Sequence, residues 1–293
     1  KAEFRDDGFF ITGDLGRKNL PIIRSPQPLP AVDYLVCEST YGNRLHDPVA
    51  DARQQLAEVV NATVKRGGKI IIPAFAVERT QEVVYYLQQL MAEKTIPELD
   101  VFVDSPMAGN ATTIFRVHQE CFEDELREEY IARHSDPFGF DRLRYTQSVV
   151  ESMALNTRRE PCVIISSSGM CESGRILHHL KNNIENPANT ILIVGFMAAN
   201  TLGRRIADRE PQVRIFGKSY TLKAQVKILN AFSAHADYGE IREYVSRLDR
   251  QRLREVFLVH GESEAIEHLA GELRQAGINS VRPAEPGVWN NLD

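Results

Sequence analysis

Residues 162–170 read Cys162-Val163-Ile164-Ile165-Ser166-Ser167-Ser168-Gly169-Met170, an apolar run that opens into a loop of small side chains. Four consecutive apolar residues bounded by turn formers suit a strand buried on both faces, and the loop suits the entry to a helix near Ser173 to Asn183. The same unit recurs along the chain. Lys69 to Pro73 leads through Ala74-Phe75-Ala76 into a helical pattern from about Arg79 to Ala92. Asp100 to Val103 leads through Asp104-Ser105-Pro106-Met107-Ala108-Gly109, and Ile191 to Val194 leads through Gly195-Phe196-Met197 towards Gly203-Arg204-Arg205. Short apolar strands alternating with helices predict a parallel sheet covered on both faces, an α/β layer domain that gathers its ligands at the carboxyl ends of the strands.

Upstream of these units, Leu56, Val59, Val60 and Val64 share one helical face, and Gly67-Gly68 stops that helix. Before it come two strands that each end in a carboxylate. Phe9 to Thr12 runs into Gly13-Asp14-Leu15-Gly16, and Val32 to Cys37 runs into Glu38-Ser39-Thr40-Tyr41-Gly42. Downstream, the charged stretch from Glu123 to Arg159 interrupts the alternation and predicts helices over one sheet edge. Strands are expected again over Val213 to Phe216, Ala224 to Leu229 and Val256 to Val259. His235 follows one of these strands and His260 ends another. Asp237-Tyr238-Gly239-Glu240 has the spacing of a capping box and opens a helix to about Leu248; Ser263 is expected to cap a helix from Glu264 to about Gln275.

The 293 residues can bury a sizeable core, and their 43% hydrophobic and 26% charged composition is that of a globular protein. No apolar run approaches the roughly 20 residues that span a bilayer. No signal-peptide core opens the chain, so a cytoplasmic location is expected. The four cysteines, Cys37, Cys121, Cys162 and Cys171, lack C-x-x-C spacing and read as free thiols. A net charge of −5 argues against general coating of nucleic acid but permits a local basic cleft.

Asp14, Glu38, His235 and His260 all fall at or just beyond strand ends, flanked by Gly, Ser or Ala. Short neighbours let a metal or substrate approach while the strand sets the ligand's direction. Each residue has a plainer reading as well. Asp14 suits a turn, Glu38 a surface pair with Arg44, His235 a neighbour of a helix cap, and His260 a core histidine. Ser166 to Gly169, ahead of a helix, could cradle phosphate through backbone N–H groups, with Arg175 beside it, or could be an ordinary strand-to-helix turn. His178-His179 lies mid-helix, where one ring at most faces the sheet.

Together these stretches resemble the beta-CASP branch of the metallo-β-lactamase superfamily, RNA-processing nucleases related to the cleavage-and-polyadenylation endonuclease and to RNase J. Thr12-Gly13-Asp14-Leu15-Gly16-Arg17 resembles the fourth lactamase motif. Cys37 to Gly42 resembles beta-CASP motif A, Phe232-Ser233-Ala234-His235-Ala236-Asp237 motif B, and Val259-His260-Gly261-Glu262 motif C. The resemblance implies a parallel-sheet beta-CASP domain over residues 41–220, inserted in a metallo-β-lactamase αββα sandwich formed in part by residues 1–40 and 221–293.

By the same resemblance Asp14 would bridge two zinc ions and His260 would complete the shell of one. Glu38 would orient and polarise His235, which would contact the scissile phosphate or protonate the leaving oxygen. Ser233, Ser167, Ser168, Gly169 and Arg175 would bind RNA phosphate. Two zinc ions activate a water near neutral pH and clamp an in-line phosphoryl displacement. The implied activity is hydrolysis of single-stranded RNA. A non-catalytic RNA-processing scaffold and a small-molecule metallo-hydrolase are the alternatives, and a homodimer is left open. The family's His-x-His-x-Asp-His zinc motif would lie upstream of Asp14. His46, His118, His134, His178, His179, His235, His260 and His268 do not form it. The expectation is therefore a C-terminal portion of a longer protein, inactive alone, with its zinc absent or partial.

Overall fold

A run such as Ile70-Ile71-Ile72 has no polar face to offer water. In the computed structural model, which describes residues 8–133, 136–285 and 287–288, all three side chains are fully buried. The strand Ile70–Pro73 sits inside a six-stranded sheet in the order Gln225–Ile228, Thr190–Ile193, Ile70–Pro73, Cys162–Ser166, Asp100–Val103, Leu143–Tyr145. Every pairing in it is parallel, with Ile70 opposite Val163 and Ile71 opposite Ile164. Side chains of a strand alternate between faces, so one strand feeds two cores. Ile70 and Ile72 pack with Leu56, Val60, Val83 and Leu87, while Ile71 packs with Ile164, Ile176, Leu180 and Ile191. This is the α/β parallel class expected from the alternation.

The helix Val49–Lys65 buries the expected stripe and ends at Arg66, followed by Gly67 at φ +70°. Ser105 caps Pro106–Val117 by accepting from the Ala108 amide, with proline pre-set in the first turn. Each cap lies just after a sheet strand, so the loops between strand and helix collect at the carboxyl edge.

A second sheet has the order Phe9–Ile11, Tyr34–Glu38, Glu255–Val259, Val281–Pro283, again all parallel. Leu35, Cys37, Val256 and Leu258 form its core with Ile241 and Val245 of the helix Tyr238–Ser246 and Leu269 and Leu273 of Ser263–Gln275. The chain divides into two compact units. One comprises Lys1–Leu20, Arg24–His46 and Ala234–Asp293, the other Pro21–Ile23 and Asp47–Ser233. Drawn by contact, the boundaries fall at 46/47 and 233/234, with Pro21–Ile23 in the larger unit, against the 40/41 and 220/221 that the resemblance implies. The strand Gln225–Ile228 accounts for much of the difference, because it pairs with Thr190–Ile193 in the larger sheet.

Four local expectations are corrected. Leu143–Tyr145 is an edge strand inside the charged stretch, with only Leu143 buried, too short and polar to register as a strand pattern. Lys218–Thr221 pairs antiparallel with Gln212–Ile215 through Phe216-Gly217, both at positive φ, +50° and +76°, as a tight hairpin turn demands. The helix placed near Ser173 starts at Ile176, because the Ser168 hydroxyl takes the amides of Glu172 and Ser173 and holds them in the loop. Ser263 is the first helical residue rather than the cap, a position held by Glu262 without a side-chain bond. The Asp237–Glu240 capping box is present in both directions. Among the described residues no helix is long and apolar enough to cross a membrane.

Ile164 is fully buried between two neighbouring strands. Ile164→Ala is expected to cost about 2–5 kcal/mol in urea denaturation, against less than about 0.5 kcal/mol for the exposed Val150→Ala. Burial pushes the Cys37, Cys162 and Cys171 thiols up to about 12, 11 and 12. Cys121 alone among the four is exposed, so a thiol reagent at pH 8 is expected to label one cysteine quickly in native protein and all of them after denaturation.

Candidate functional site

In the smaller unit the loop after Phe9–Ile11 and the loop carrying His235 are zipped by backbone bonds. The Ala236 amide donates to the Leu15 carbonyl at 2.8 Å, and the Arg17 amide donates to the Ala234 carbonyl at 3.2 Å. The ladder brings together segments about two hundred residues apart. Glu38, at the end of Tyr34–Glu38, lies beneath them with 1% of its side chain exposed. A buried carboxylate must find donors. Glu38 accepts from the Leu15 amide, from the Thr40 hydroxyl at 2.6 Å, and faces His235 Nδ1 at 2.9 Å. The surface pair with Arg44 is not formed by this buried group.

His235 is held from its backbone as well. His46 Nε2 lies 3.1 Å from the His235 carbonyl, and the His46 amide donates to Asp237 Oδ2 at 2.9 Å. Nδ1 is thus the ring nitrogen turned to Glu38. The side chain is 23% exposed.

His260 closes Glu255–Val259 in the left-handed region, at φ +52°, a conformation uncommon for a non-glycine residue. Gly261 follows because a Cβ there would stand 2.6 Å from the Ser39 carbonyl oxygen. The Ser39 amide in turn donates to the His260 carbonyl at 3.3 Å. Thr40 Oγ1 lies 3.1 Å from His260 Nδ1. That hydroxyl donates to Glu38 Oε2 at 2.6 Å and lies 3.2 Å from the His260 carbonyl oxygen. The hydroxyl thus couples Glu38 to His260.

Asp14 and His260 face solvent, 71% and 61% exposed, with Asp14 Oδ1 at 3.6 Å from His260 Nδ1. Asp14, His235 and His260 each offer a donor atom, and these atoms all lie within 4.8 Å of one another. The Asp14 carboxylate and the His260 imidazole fit the oxygen and nitrogen donors that zinc takes, with His235 beside them. The reach of His235 into this group goes beyond the Asp14 and His260 set expected as ligands.

The larger unit holds a second polar cluster at the carboxyl edge of its sheet. Asp104 follows Asp100–Val103 and is fully buried. It accepts from Arg175 Nη1 at 2.7 Å and from the Ser152 hydroxyl at 2.5 Å, faces His179 Nε2 at 2.6 Å, and accepts also from the Thr146 hydroxyl. Burial alone would raise its carboxyl, but the bonds from His179, Ser152, Thr146 and Arg175 outweigh it and hold Asp104 well below the usual carboxylate range. Arg175 Nη2 donates to the Gln147 carbonyl at 2.8 Å, so its guanidinium is fixed from two sides. His179 is the ring of the His178-His179 pair that turns inward.

Ser167, Ser168 and Gly169 lie in the loop that Arg175 ends. The Ser167 hydroxyl donates to Ser105 Oγ at 3.1 Å, and Ser168 Oγ accepts the Glu172 and Ser173 amides. Both hydroxyls therefore serve the loop's own geometry. Ser233 is 2% exposed, and its amide donates to the Asn230 carbonyl at 3.1 Å. Sequence reasoning missed Thr40 and Asp104. Thr40 stood within the quoted Glu38-to-Gly42 stretch, and Asp104 carried the same signal as Asp14 and Glu38, a carboxylate at a strand end.

Residues 80–206 match the Beta-Casp domain, and residues 219–283 match the Zn-dependent metallo-hydrolase RNA specificity domain. The chain carries a Beta-Casp domain. It is 35% identical over 255 residues to Ribonuclease TTHA0252 of Thermus thermophilus, covering 87% of this chain and 57% of that one. It is 34% identical over 295 residues to Transcription termination factor FttA of Pyrococcus horikoshii, covering 97% of this chain and 44% of that one. An RNase J-like protein of Methanocaldococcus jannaschii is 27% identical over 254 residues, at 86% and 57% coverage. The chain spans about half the length of the curated relatives it matches. A beta-CASP domain on a parallel α/β sheet agrees with the fold class expected from the sequence.

Removing Asp104 leaves Arg175 and His179 facing an empty buried site. Asp104→Ala is expected to cost about 3–5 kcal/mol, read by denaturant unfolding. A carboxyl held low in the folded state stabilises fully above its unfolded value near 4 and loses that contribution as the pH falls through the depressed one. Below about pH 4 wild-type protein should therefore lose stability more steeply than Asp104→Asn, which has no proton to take up there.

Proposed function

We propose that this beta-CASP chain serves the zinc-dependent hydrolysis of phosphodiester bonds in single-stranded RNA. The observation that carries the reading is the Asp14, His235 and His260 group, with donor atoms within 4.8 Å of one another, above a buried Glu38 that faces His235 Nδ1. A turn aspartate or a core histidine has no need of such convergence. Asp14 and His260 would hold zinc, the exposed pair being the more accessible to an ion. When bound, zinc supplies Lewis acidity: it makes a water nucleophilic near neutral pH and offsets charge that builds on the phosphoryl oxygens.

The chain's own residues supply the remainder. Glu38 fixes the His235 ring by its Nδ1. His235 then presents an Nε2 proton to the leaving oxygen, the transfer a departing alkoxide requires. Thr40 keeps Glu38 and His260 in register through one hydroxyl. Arg175, anchored on Asp104, supplies a positive group beside the Ser167-Ser168-Gly169 turn, where a phosphate of the RNA strand would lie. The names of the relatives support RNA as the substrate, since one is a ribonuclease and another an RNase J-like protein.

The test is degradation of end-labelled single-stranded RNA by the full-length protein. His235→Ala is expected to slow cleavage by about 10²–10⁴-fold, and full activity in that variant overturns the role of His235. Asp14→Ala and His260→Ala are expected to lower the zinc retained after dialysis, measured by metal analysis. Unchanged zinc in both would remove them from the metal site.

A further inference from the structure

Phe75 follows the strand Ile70–Pro73 in the loop Ala74-Phe75-Ala76, at the carboxyl edge of the six-stranded sheet. Its side chain is 46% exposed, between Ala74 and Ala76, which are both buried. Mobility does not account for that exposure. The Ala74 amide donates to the Ser166 carbonyl at 3.0 Å, the Thr80 hydroxyl donates to the Phe75 carbonyl at 2.7 Å, and Gln81 Nε2 donates to the Ala76 carbonyl at 3.2 Å. The backbone under the ring is tied on both sides.

The ring also has a fixed neighbour. A Cβ placed on Gly169 would stand 2.9 to 3.1 Å from three of its carbons, so the ring lies against the backbone of the serine turn. The ring is thus supported by the turn at Gly169, while much of the residue remains open to solvent. A held, half-exposed aromatic against a polar turn is the kind of ring on which single-strand binders stack a base. The backbone is tracked by charge, and bases stack on rings whatever their sequence.

We propose that Phe75 is a stacking platform for one base of a bound RNA strand. This deepens the reading of the chain as RNA-binding and rests on it. Stacking needs a π-face, so the effect belongs to the ring and not to its apolar bulk.

The experiment measures binding of the whole chain to a fluorescent oligouridylate and to an abasic oligonucleotide of the same length, by anisotropy at several salt concentrations. Wild type is expected to bind the oligouridylate more tightly than the abasic strand. Phe75→Ala should lose about 5- to 100-fold for oligouridylate, the increment of one stacked base, with little change for the abasic strand and an unchanged salt slope. Phe75→Trp should retain affinity. Phe75→Leu, which keeps apolar contact with Gly169, should behave as the alanine variant does. Wild-type affinity in Phe75→Ala, or full rescue by Phe75→Leu, overturns the stacking role. Equal weakening on both strands points to a collapsed loop and also overturns it. Failure of wild type to bind any RNA overturns the RNA-binding reading itself, and the platform with it.

Discussion

The smaller unit depends on one buried charge. Glu38 has almost no solvent to stabilise its carboxylate, so the Leu15 amide, the Thr40 hydroxyl and the His235 imidazole must do so. These groups come from three separate stretches of chain. If any one is displaced, a desolvated anion is left short of a partner, which costs more than the lost bond contributes. The constraint that stabilises this unit is therefore the one that aims His235. Asp14 and His260 can remain open to solvent because neither bears that cost.

The larger unit repeats the device without the open donor set. Asp104 is a strand-end carboxylate, buried and fully bonded, and its partners Arg175 and His179 reach it from the loop and helix that follow Cys162–Ser166. Its effect is to fix a guanidinium and the turn before it. Both units thus use a buried carboxylate at the carboxyl edge of a parallel sheet to orient a side chain from a distant segment, His235 in one and Arg175 in the other. Parallel sheets favour this, since successive strands deliver their loops to a common edge.

Much of the architecture was legible from local pattern. The runs around Ile70, Val101, Ile164 and Leu192 became strands of one parallel sheet, and the apolar stripe of Leu56, Val59 and Val60 became the buried face of a helix. What escaped were elements whose stability is not written in their own residues. Leu143–Tyr145 is a strand because Asp100–Val103 offers it an edge, and Lys218–Thr221 because a two-residue turn folds it onto Gln212–Ile215. The placement of Gln225–Ile228 in the larger sheet depended on pairing with Thr190–Ile193, which no local window contains.

For the site the division is similar. The sequence by itself determined which residues stand at strand ends beside small neighbours, and so selected Asp14, Glu38, His235 and His260 before any geometry was known. It also determined the Asp237–Glu240 cap, because capping reaches only three residues along the chain. Only the tertiary structure decided that Ser233 is interior, that Thr40 links Glu38 to His260, and that Asp104 anchors Arg175. It also brought His235 to Glu38 across 197 residues of sequence. Secondary structure follows a periodicity that a short window can hold, whereas a site is a set of distances that exists only once the strands have paired.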